Sequence, residues 1–130
     1  MKTAEDIESF LILMDAHYEK VGDDIWVLDD GGAGVVISIA GPVVVFRVKV
    51  LETERIPTTK REEFFRTLLE INASEMVHGA YGLEQGSVIA TDALQLENLD
   101  FNEFQATIED LGLAVSKHVP LLSKYAAEAA

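Results

Sequence analysis

The segment from Ile25 to Leu51 limits the fold most, because its apolar residues follow the pattern of β-strands and not that of helices. Three runs rich in β-branched residues, separated by turns that contain glycine or proline, cover residues 25–28, 35–40 and 43–51. In the third run apolar Phe46 and Val48 alternate with charged Arg47, so one face of that strand is expected to be buried and the other partly wet. The segment therefore predicts three strands of an antiparallel meander.

A helix is predicted before these strands. Thr3 and Asp6 have the spacing of a capping box, and apolar residues then recur at steps of three and four: Ile7, Phe10, Leu11, Met14 and Tyr18. The helix is expected to end near Gly22. Ile12 and Leu13 lie well away from that stripe, so the helix is apolar on more than one side. Either this side is tucked under a loop, or it is a contact surface for a partner or another copy of the chain.

A second helix and a hairpin are predicted after the strands. The apolar residues on one side of a short helix are Phe64, Phe65, Leu68 and Leu69. Asn72 follows on the same side, where an asparagine most often ends a helix in a left-handed conformation, and that role is expected here. Residues 77–83 and 87–93 then predict a β-hairpin that turns at Gly86.

The last helix is predicted to begin at Asp100, with Glu103 three residues further on. Its apolar stripe consists of Phe101, Phe104, Ile108, Leu111, Val115, Val119 and Leu122. Leu113 lies off this stripe, and Pro120 predicts a kink or a break just before it. The element order is then α-β-β-β-α-β-β-α, an α+β fold with helices packed against an antiparallel sheet and with residues 1–130 as one domain.

The chain is strongly acidic, with 10 lysines and arginines against 23 aspartates and glutamates and a formal net charge of -13. Such a charge repels phosphate backbones and anionic lipid, so nucleic acid and membrane surfaces are not expected as partners. A basic segment of another protein is expected instead, because opposite charge speeds encounter. The alternative is that the charge only keeps the protein soluble.

Two features of the sequence, its lack of cysteine and its acidic N-terminus, bear on the cellular compartment of the protein. The sequence contains no cysteine, which excludes disulfides and cysteine-ligated metals and suits a reducing compartment. It contains no uninterrupted apolar run of about 18 residues, and its first residues are acidic where a signal peptide would be basic. The chain is therefore expected to stay in the cytoplasm.

Catalytic and metal-binding motifs are absent from the sequence. His17, His78 and His118 are far apart and have no metal-ligand spacing. His118 lies near the edge of the last apolar stripe, where a bond to a backbone oxygen is expected. The glycine-rich residues 31–34 lack the lysine of a phosphate loop and are expected to form a hairpin loop, and no serine lies in a GxSxG elbow. The sequence therefore predicts no enzyme, no cofactor and no metal.

Several apolar and glycine spacings resemble those of a known family. They are Phe64-Phe65-x-x-Leu68-Leu69-x-x-Asn72, Gly79-x-Tyr81-Gly82-Leu83, Gly86-x-Val88 and Leu94-x-Leu96-x-x-Leu99-Asp100. With the element order, which extends over most of the chain, they resemble the type III secretion chaperone-like family of CesT-type (Tir chaperone) and YbjN-type proteins. The resemblance implies a small, acidic, cytoplasmic homodimer that holds a partner polypeptide in extended form.

The resemblance also implies two sets of contact residues. In that family the partner lies over apolar patches of the first helix and the sheet, which by position are Ile7, Phe10, Leu11, Met14, Val44, Phe46 and Val48. Several of these are expected to serve the core instead. Dimer contacts centre on the second helix and the neighbouring strands, here Phe65, Leu69, Tyr81 and Ile89.

Three functions are compatible with these features. The leading hypothesis is a non-enzymatic homodimeric chaperone or adaptor that binds an extended or basic-flanked segment of a partner protein through apolar surface, by strand addition or with a helix in a groove. The alternative is a YbjN-like regulatory or sensory domain that contacts a folded signalling protein. The third is a binder of a small molecule or metal on the open face of the sheet.

Overall fold

The computed structural model describes residues 1–29 and 34–127, in which α-helices pack against a six-stranded antiparallel sheet. The helices are α1 (Ala4–Leu13), α2 (Arg61–Ser74) and α3 (Phe101–Ala127). The strands are β1 (His17–Gly22), β2 (Ile25–Asp29), β3 (Gly34–Ala40), β4 (Val43–Glu52), β5 (Ala80–Glu84) and β6 (Ser87–Gln95). They are arranged in the order β1-β2-β3-β4-β6-β5 across the sheet. The predicted α+β class is confirmed.

The core lies on one face of the sheet. In β4, Val44, Phe46 and Val48 are buried, while Arg47 and Lys49 point to the other face, as the alternation in the sequence predicted. The helix residues that share this core are Ile7, Leu11, Phe64, Leu68, Ile71, Phe104, Ile108, Leu111, Val115 and Leu122. All three helices therefore cover the same face of the sheet, and no helix of residues 1–29 and 34–127 covers the opposite face.

The first helix is shorter than predicted. It ends at Leu13, and residues His17–Gly22 form β1, which pairs with β2. Asp15 adopts a left-handed backbone conformation, with φ of 55°, that an α-helix cannot continue and that aspartate tolerates. Tyr18 then faces the core from a strand, opposite Leu28. Its four-residue spacing from Met14 imitated a helix, so the predicted element order lacked one strand.

The predicted starts of α1 and α3 carry their caps. The N–H of Thr3 donates to Oδ2 of Asp6 at 2.8 Å, and the N–H of Glu103 donates to Oδ1 of Asp100 at 2.8 Å. Each bond satisfies a backbone donor that would otherwise lack a partner at the start of a helix. The local sequence therefore determines where α1 and α3 begin.

The last helix continues through Pro120, so the break that was one of the two predicted outcomes does not occur. Proline removes the hydrogen bond to the carbonyl four residues earlier, here that of Ser116. Both residues are exposed, so this carbonyl lies on the solvent side of α3 and water can satisfy it. The predicted hairpin loop at residues 30–33 lies outside the described residues.

Candidate functional site

A groove of about 940 Å³ lies between α3 and the turn that joins α1 to β1. Its apolar lining comes from these two walls and from the inner face of the sheet: Met14, Ala16, Leu28, Val35, Val48, Ile108, Leu113 and Val115. The strand residues Leu28, Val35 and Val48 form a floor that solvent barely reaches, whereas Leu113 at the rim is 69% exposed. The groove is therefore an apolar surface that the folded chain leaves partly uncovered.

Short side chains keep the groove open. Gly112 and Ser116 lie on α3 one turn apart, and Ala16 lies on the opposite wall. The helix α1 ends at Leu13 and the chain turns at Asp15. The helix is therefore too short to cover this part of the sheet. Larger residues at these positions would fill the space between the two walls.

Three large apolar side chains that lie off the helical stripes are exposed, one in the groove and two at the end of the helix that leads into it. Ile12 and Leu13 are 64% and 68% exposed at the end of α1, directly before Met14, and Leu113 lines the groove itself. This exposure excludes the interpretation that Ile12 and Leu13 are tucked under a loop. Single exposed apolar residues are ordinary, but several beside one apolar groove are typical of an interaction site.

The charged residues that line the groove are acidic. Asp15 lies on the α1–β1 turn, Asp29 at the end of β2 and Glu109 on α3. His17 also lines the groove, whereas no lysine or arginine does among the described residues. The groove therefore combines an apolar floor with negative charge on both walls.

The residues that the family resemblance implies for partner binding are divided between the core and this groove. Ile7, Leu11, Val44 and Phe46 are fully buried. Phe10 is partly buried and packs its ring against Phe101 and Phe104, at centroid distances of 5.8 and 5.3 Å. Only two of the set, Met14 and Val48, line the groove.

The α3 wall of the groove was not identified from the sequence. Ile108 and Val115 belong to the predicted apolar stripe of the last helix. The spacing of that stripe does not show that these two side chains also line a groove. Two features do point there: Leu113 lies off the stripe, and Gly112 leaves the helix without a side chain beside it.

The four residues implied for dimer contacts lie in three different places. Phe65 and Leu69 are neighbours on the outer side of α2, where they line a shallow depression with Glu62, Arg66, Glu70 and Ala73. Leu69 is largely exposed. Tyr81 is 6% exposed and turned towards α3, whereas Ile89 lies opposite Lys49, on the open face of the sheet. Phe65 and Leu69 are thus the pair that the fold brings together on a surface.

Asn72 connects α2 to the edge of the sheet. Its Nδ2 donates to the carbonyl oxygen of Tyr81 at 3.0 Å, and the N–H of Tyr81 donates to its Oδ1 at 2.7 Å. Because β5 is an edge strand, these are backbone groups that face away from β6. The expectation that Asn72 ends the helix is wrong, since α2 continues to Ser74.

His118 joins α3 to β5 and to the end of α2. Its Nδ1 lies 2.8 Å from the hydroxyl oxygen of Tyr81, and its Nε2 lies 3.2 Å from Oε1 of Glu75. Lys117 Nζ lies 3.0 Å from the same oxygen. The expected bond from His118 to a backbone oxygen is therefore replaced by two side-chain partners.

The network around His118 shifts two pKa values. Hydrogen bonds from Lys117 and His118 hold the pKa of Glu75 below its ordinary value. Burial, together with the charge of Glu75, raises the pKa of Tyr81 to about 12. None of the four residues lines the groove, so the network ties elements together beside the apolar surface and not within it.

Within residues 1–29 and 34–127, no three histidines or carboxylates are grouped as metal ligands. In the same part of the chain, no helix has the length and apolar character needed to span a bilayer.

Comparison with solved structures finds the same fold in chains of two protein complexes and in YbjN. A chain of the ExoU–SpcU complex from the type III secretion system of Pseudomonas aeruginosa superposes with a TM-score of 0.73 at 17% identity, over 91% of this chain and 98% of that one. YbjN from E. coli gives a TM-score of 0.65 at 10% identity, over 90% and 91%. A chain of the HopA1–SchA chaperone–effector complex gives 0.62 at 12% identity, over 84% and 86%.

At the level of sequence, no curated protein matches the chain. The CesT_Tir_1 family model, in contrast, matches residues 1–128. The chain therefore belongs to the CesT_Tir_1 family.

Proposed function

We propose that this protein is a non-enzymatic homodimeric chaperone or adaptor that holds an extended segment of a partner protein against its apolar groove. The observation that carries the proposal is the groove itself, with its buried floor of strand residues and exposed Leu113 at the rim. Family membership supports it, as do similar folds in a chaperone–effector complex.

The groove has the properties needed to hold an apolar side chain. A leucine- or phenylalanine-sized side chain that becomes buried there contributes about 1.5–3 kcal/mol. One anchor alone does not offset the cost of association and of ordering an extended segment. The proposed contact surface therefore includes Ile12, Leu13 and Phe10 of α1 as well as Met14 and Val48 within the groove.

The two edges of the sheet differ in how they can receive an extended segment. At the β5 edge, the N–H and carbonyl of Tyr81 already bond the side chain of Asn72. At the other edge, β1 has β2 as its one strand neighbour among the described residues, and its first residue, His17, lines the groove. We therefore place the partner along β1, where backbone pairing and an apolar anchor are available together.

The proposed homodimer uses the outer side of α2. Phe65 and Leu69 form its apolar centre, and Arg66 lies between Glu62 and Glu70 on the same surface. In a two-fold antiparallel arrangement of two α2 helices, Arg66 of each copy would face a glutamate of the other, as a self-complementary interface requires. Tyr81 would then support this interface indirectly, through the bonds of its backbone to Asn72, whereas Ile89, on the open face of the sheet, would take no part in it.

The proposal also covers the class of partner, the cellular compartment and the need for a cofactor. With a net charge of -13, the partner is a protein and neither a nucleic acid nor a membrane surface. The compartment is the cytoplasm, and the protein needs no cofactor.

The test is a pull-down from native lysate with three forms of the protein. Leu113→Asp places a charge at the groove rim, and Leu121→Asp is the matched control, because Leu121 is an exposed residue of α3 that does not line the groove. A partner captured by the wild type and by Leu121→Asp, but lost with Leu113→Asp, supports the proposal. Capture that is equal with all three forms contradicts it.

Two further readouts distinguish the alternatives. Light scattering of the wild type and of Leu69→Asp tests the dimer, which is expected to become a monomer in the variant. Limited proteolysis of the captured partner tests its state, because a segment held in extended form is cut readily when released. A partner that is folded and resistant on its own would favour the YbjN-like regulatory alternative.

A further inference from the structure

The carboxylates of the groove occupy both of its walls. Asp15 lies on the α1–β1 turn and Glu109 on α3, with the apolar floor between them. Neither carboxylate has an ion-pair or hydrogen-bond partner in the part of the chain that the structure describes, whereas Glu75, Glu84 and Asp110 are each paired with a basic side chain. Negative charge on both walls is therefore available to a bound molecule.

We infer that Asp15 and Glu109 select partner segments in which an apolar anchor residue is flanked by lysine or arginine. The inference rests on the proposed function, because it assigns the chemistry of the segment that the groove holds. A long basic side chain on either side of an anchor can lay its methylene groups along the apolar rim and reach a carboxylate with its charged end. Lysine and arginine therefore fit this groove better than any short polar residue.

Charge argues against the other occupants. An acidic peptide, a phosphorylated ligand or an anionic lipid would be repelled by Asp15, Glu109 and the overall charge of -13. A second copy of this chain is disfavoured as the occupant of the groove, because it would bring further negative charge to Asp15 and Glu109, whereas the α2 surface of the proposed dimer contains Arg66. The occupant that remains is a basic-flanked segment of a different protein.

The size of the effect follows from the exposure of both carboxylates. Exposed ion pairs are weak, so loss of one is expected to reduce affinity by about two- to fivefold. Loss of both is expected to reduce it by roughly fivefold or more, mainly at low salt, where charges are least screened. The apolar anchor, by contrast, is insensitive to salt.

The experiment is selection of random 12-residue peptides displayed on phage against the full-length protein. The double variant Asp15→Asn and Glu109→Gln removes both charges, and asparagine tolerates the left-handed backbone at position 15. The control is Asp23→Asn with Asp24→Asn, an equal change of charge in the exposed turn at the far end of the β1–β2 hairpin. The best selected peptide is then synthesised and titrated by fluorescence polarisation at low and high salt.

The expected result is enrichment of lysine or arginine on both sides of a large apolar residue with the wild type and the control, but not with the double variant. Peptides that lose binding in Leu113→Asp yet show no basic flanks would overturn this inference and leave the proposed function intact. Failure to enrich any peptide that depends on Leu113 would overturn both. A fall in molecular mass to that of a monomer in Leu113→Asp would assign the groove to a second copy, which also contradicts the inference.

Discussion

Replacing Asn72 by alanine tests the connection between α2 and the edge of the sheet. The side chain makes two hydrogen bonds to the backbone of Tyr81, of 2.7 and 3.0 Å, and both are lost in Asn72→Ala. Two such bonds contribute about 1–3 kcal/mol. Alanine is a better helix former than asparagine by roughly 0.5 kcal/mol, which offsets part of the loss. The net destabilisation is therefore expected to be about 1–2 kcal/mol.

Urea unfolding followed by circular dichroism measures this loss, and a thermal scan should show a fall in Tm of roughly 4–8 °C for a domain of this size. Ser74→Ala is the matched control, since Ser74 is exposed near the end of the same helix and bonds the carbonyl of Glu70. Asn72→Asp keeps the acceptor but loses the donor to the Tyr81 carbonyl, so it should also destabilise. A loss in Asn72→Ala no larger than that in Ser74→Ala would refute the role assigned to this side chain.

Three further changes have defined outcomes. Leu13→Asp should leave the free energy of unfolding within about 0.5 kcal/mol of wild type, because the side chain is exposed. A circular dichroism spectrum that shows an unfolded variant would contradict the exposed placement of Leu13. Gly79→Ala should strongly lower the free energy of unfolding measured in urea, because φ at this residue is +74° and an added Cβ would lie 2.3 Å from the carbonyl oxygen of Thr91. Unchanged stability would show that β5 can shift to make room for the methyl group. The depressed pKa of Glu75 means that its stabilising contribution is present above its unfolded value of 4.5 and is lost as pH falls through the lower folded value. Glu75→Gln should therefore flatten the acid limb of a stability–pH profile, and an unchanged limb would contradict the Lys117 and His118 contacts.

Local patterns predicted most of the fold. The alternation in 43–51 identified the buried face of β4, and the polar residues at positions 3, 6, 100 and 103 identified two helix starts. The error in the first helix has a physical cause, because Met14 and Tyr18 are four residues apart whether the chain between them is helical or turns at Asp15. A single residue with positive φ is not visible in a hydrophobic pattern.

The candidate site was less predictable, because it depends on contacts between distant parts of the chain. Ile12, Leu13 and Leu113 were identified as surplus to their helices, and they are exposed. The groove beside them is defined by strand residues such as Leu28 and Val35, whose spacing is that of any core strand. The role of Asn72 could not be predicted for the same reason, since its hydrogen bond to Tyr81 depends on how α2 packs against β5.

The difference between the two edges of the sheet also affects how copies of this protein can associate. If β1 of one copy could add to β5 of the next, the contact would be heterologous and would extend into an open polymer. Asn72 opposes this, because at Tyr81 it already bonds the two backbone groups that an incoming strand would need. Association is then left to the outer side of α2, which in the proposed dimer would be self-complementary and would close after two copies. Asn72→Ala should accordingly form higher oligomers as concentration rises in analytical ultracentrifugation, while Ser74→Ala should not, and identical behaviour of the two would show that the β5 edge is closed by something other than this side chain.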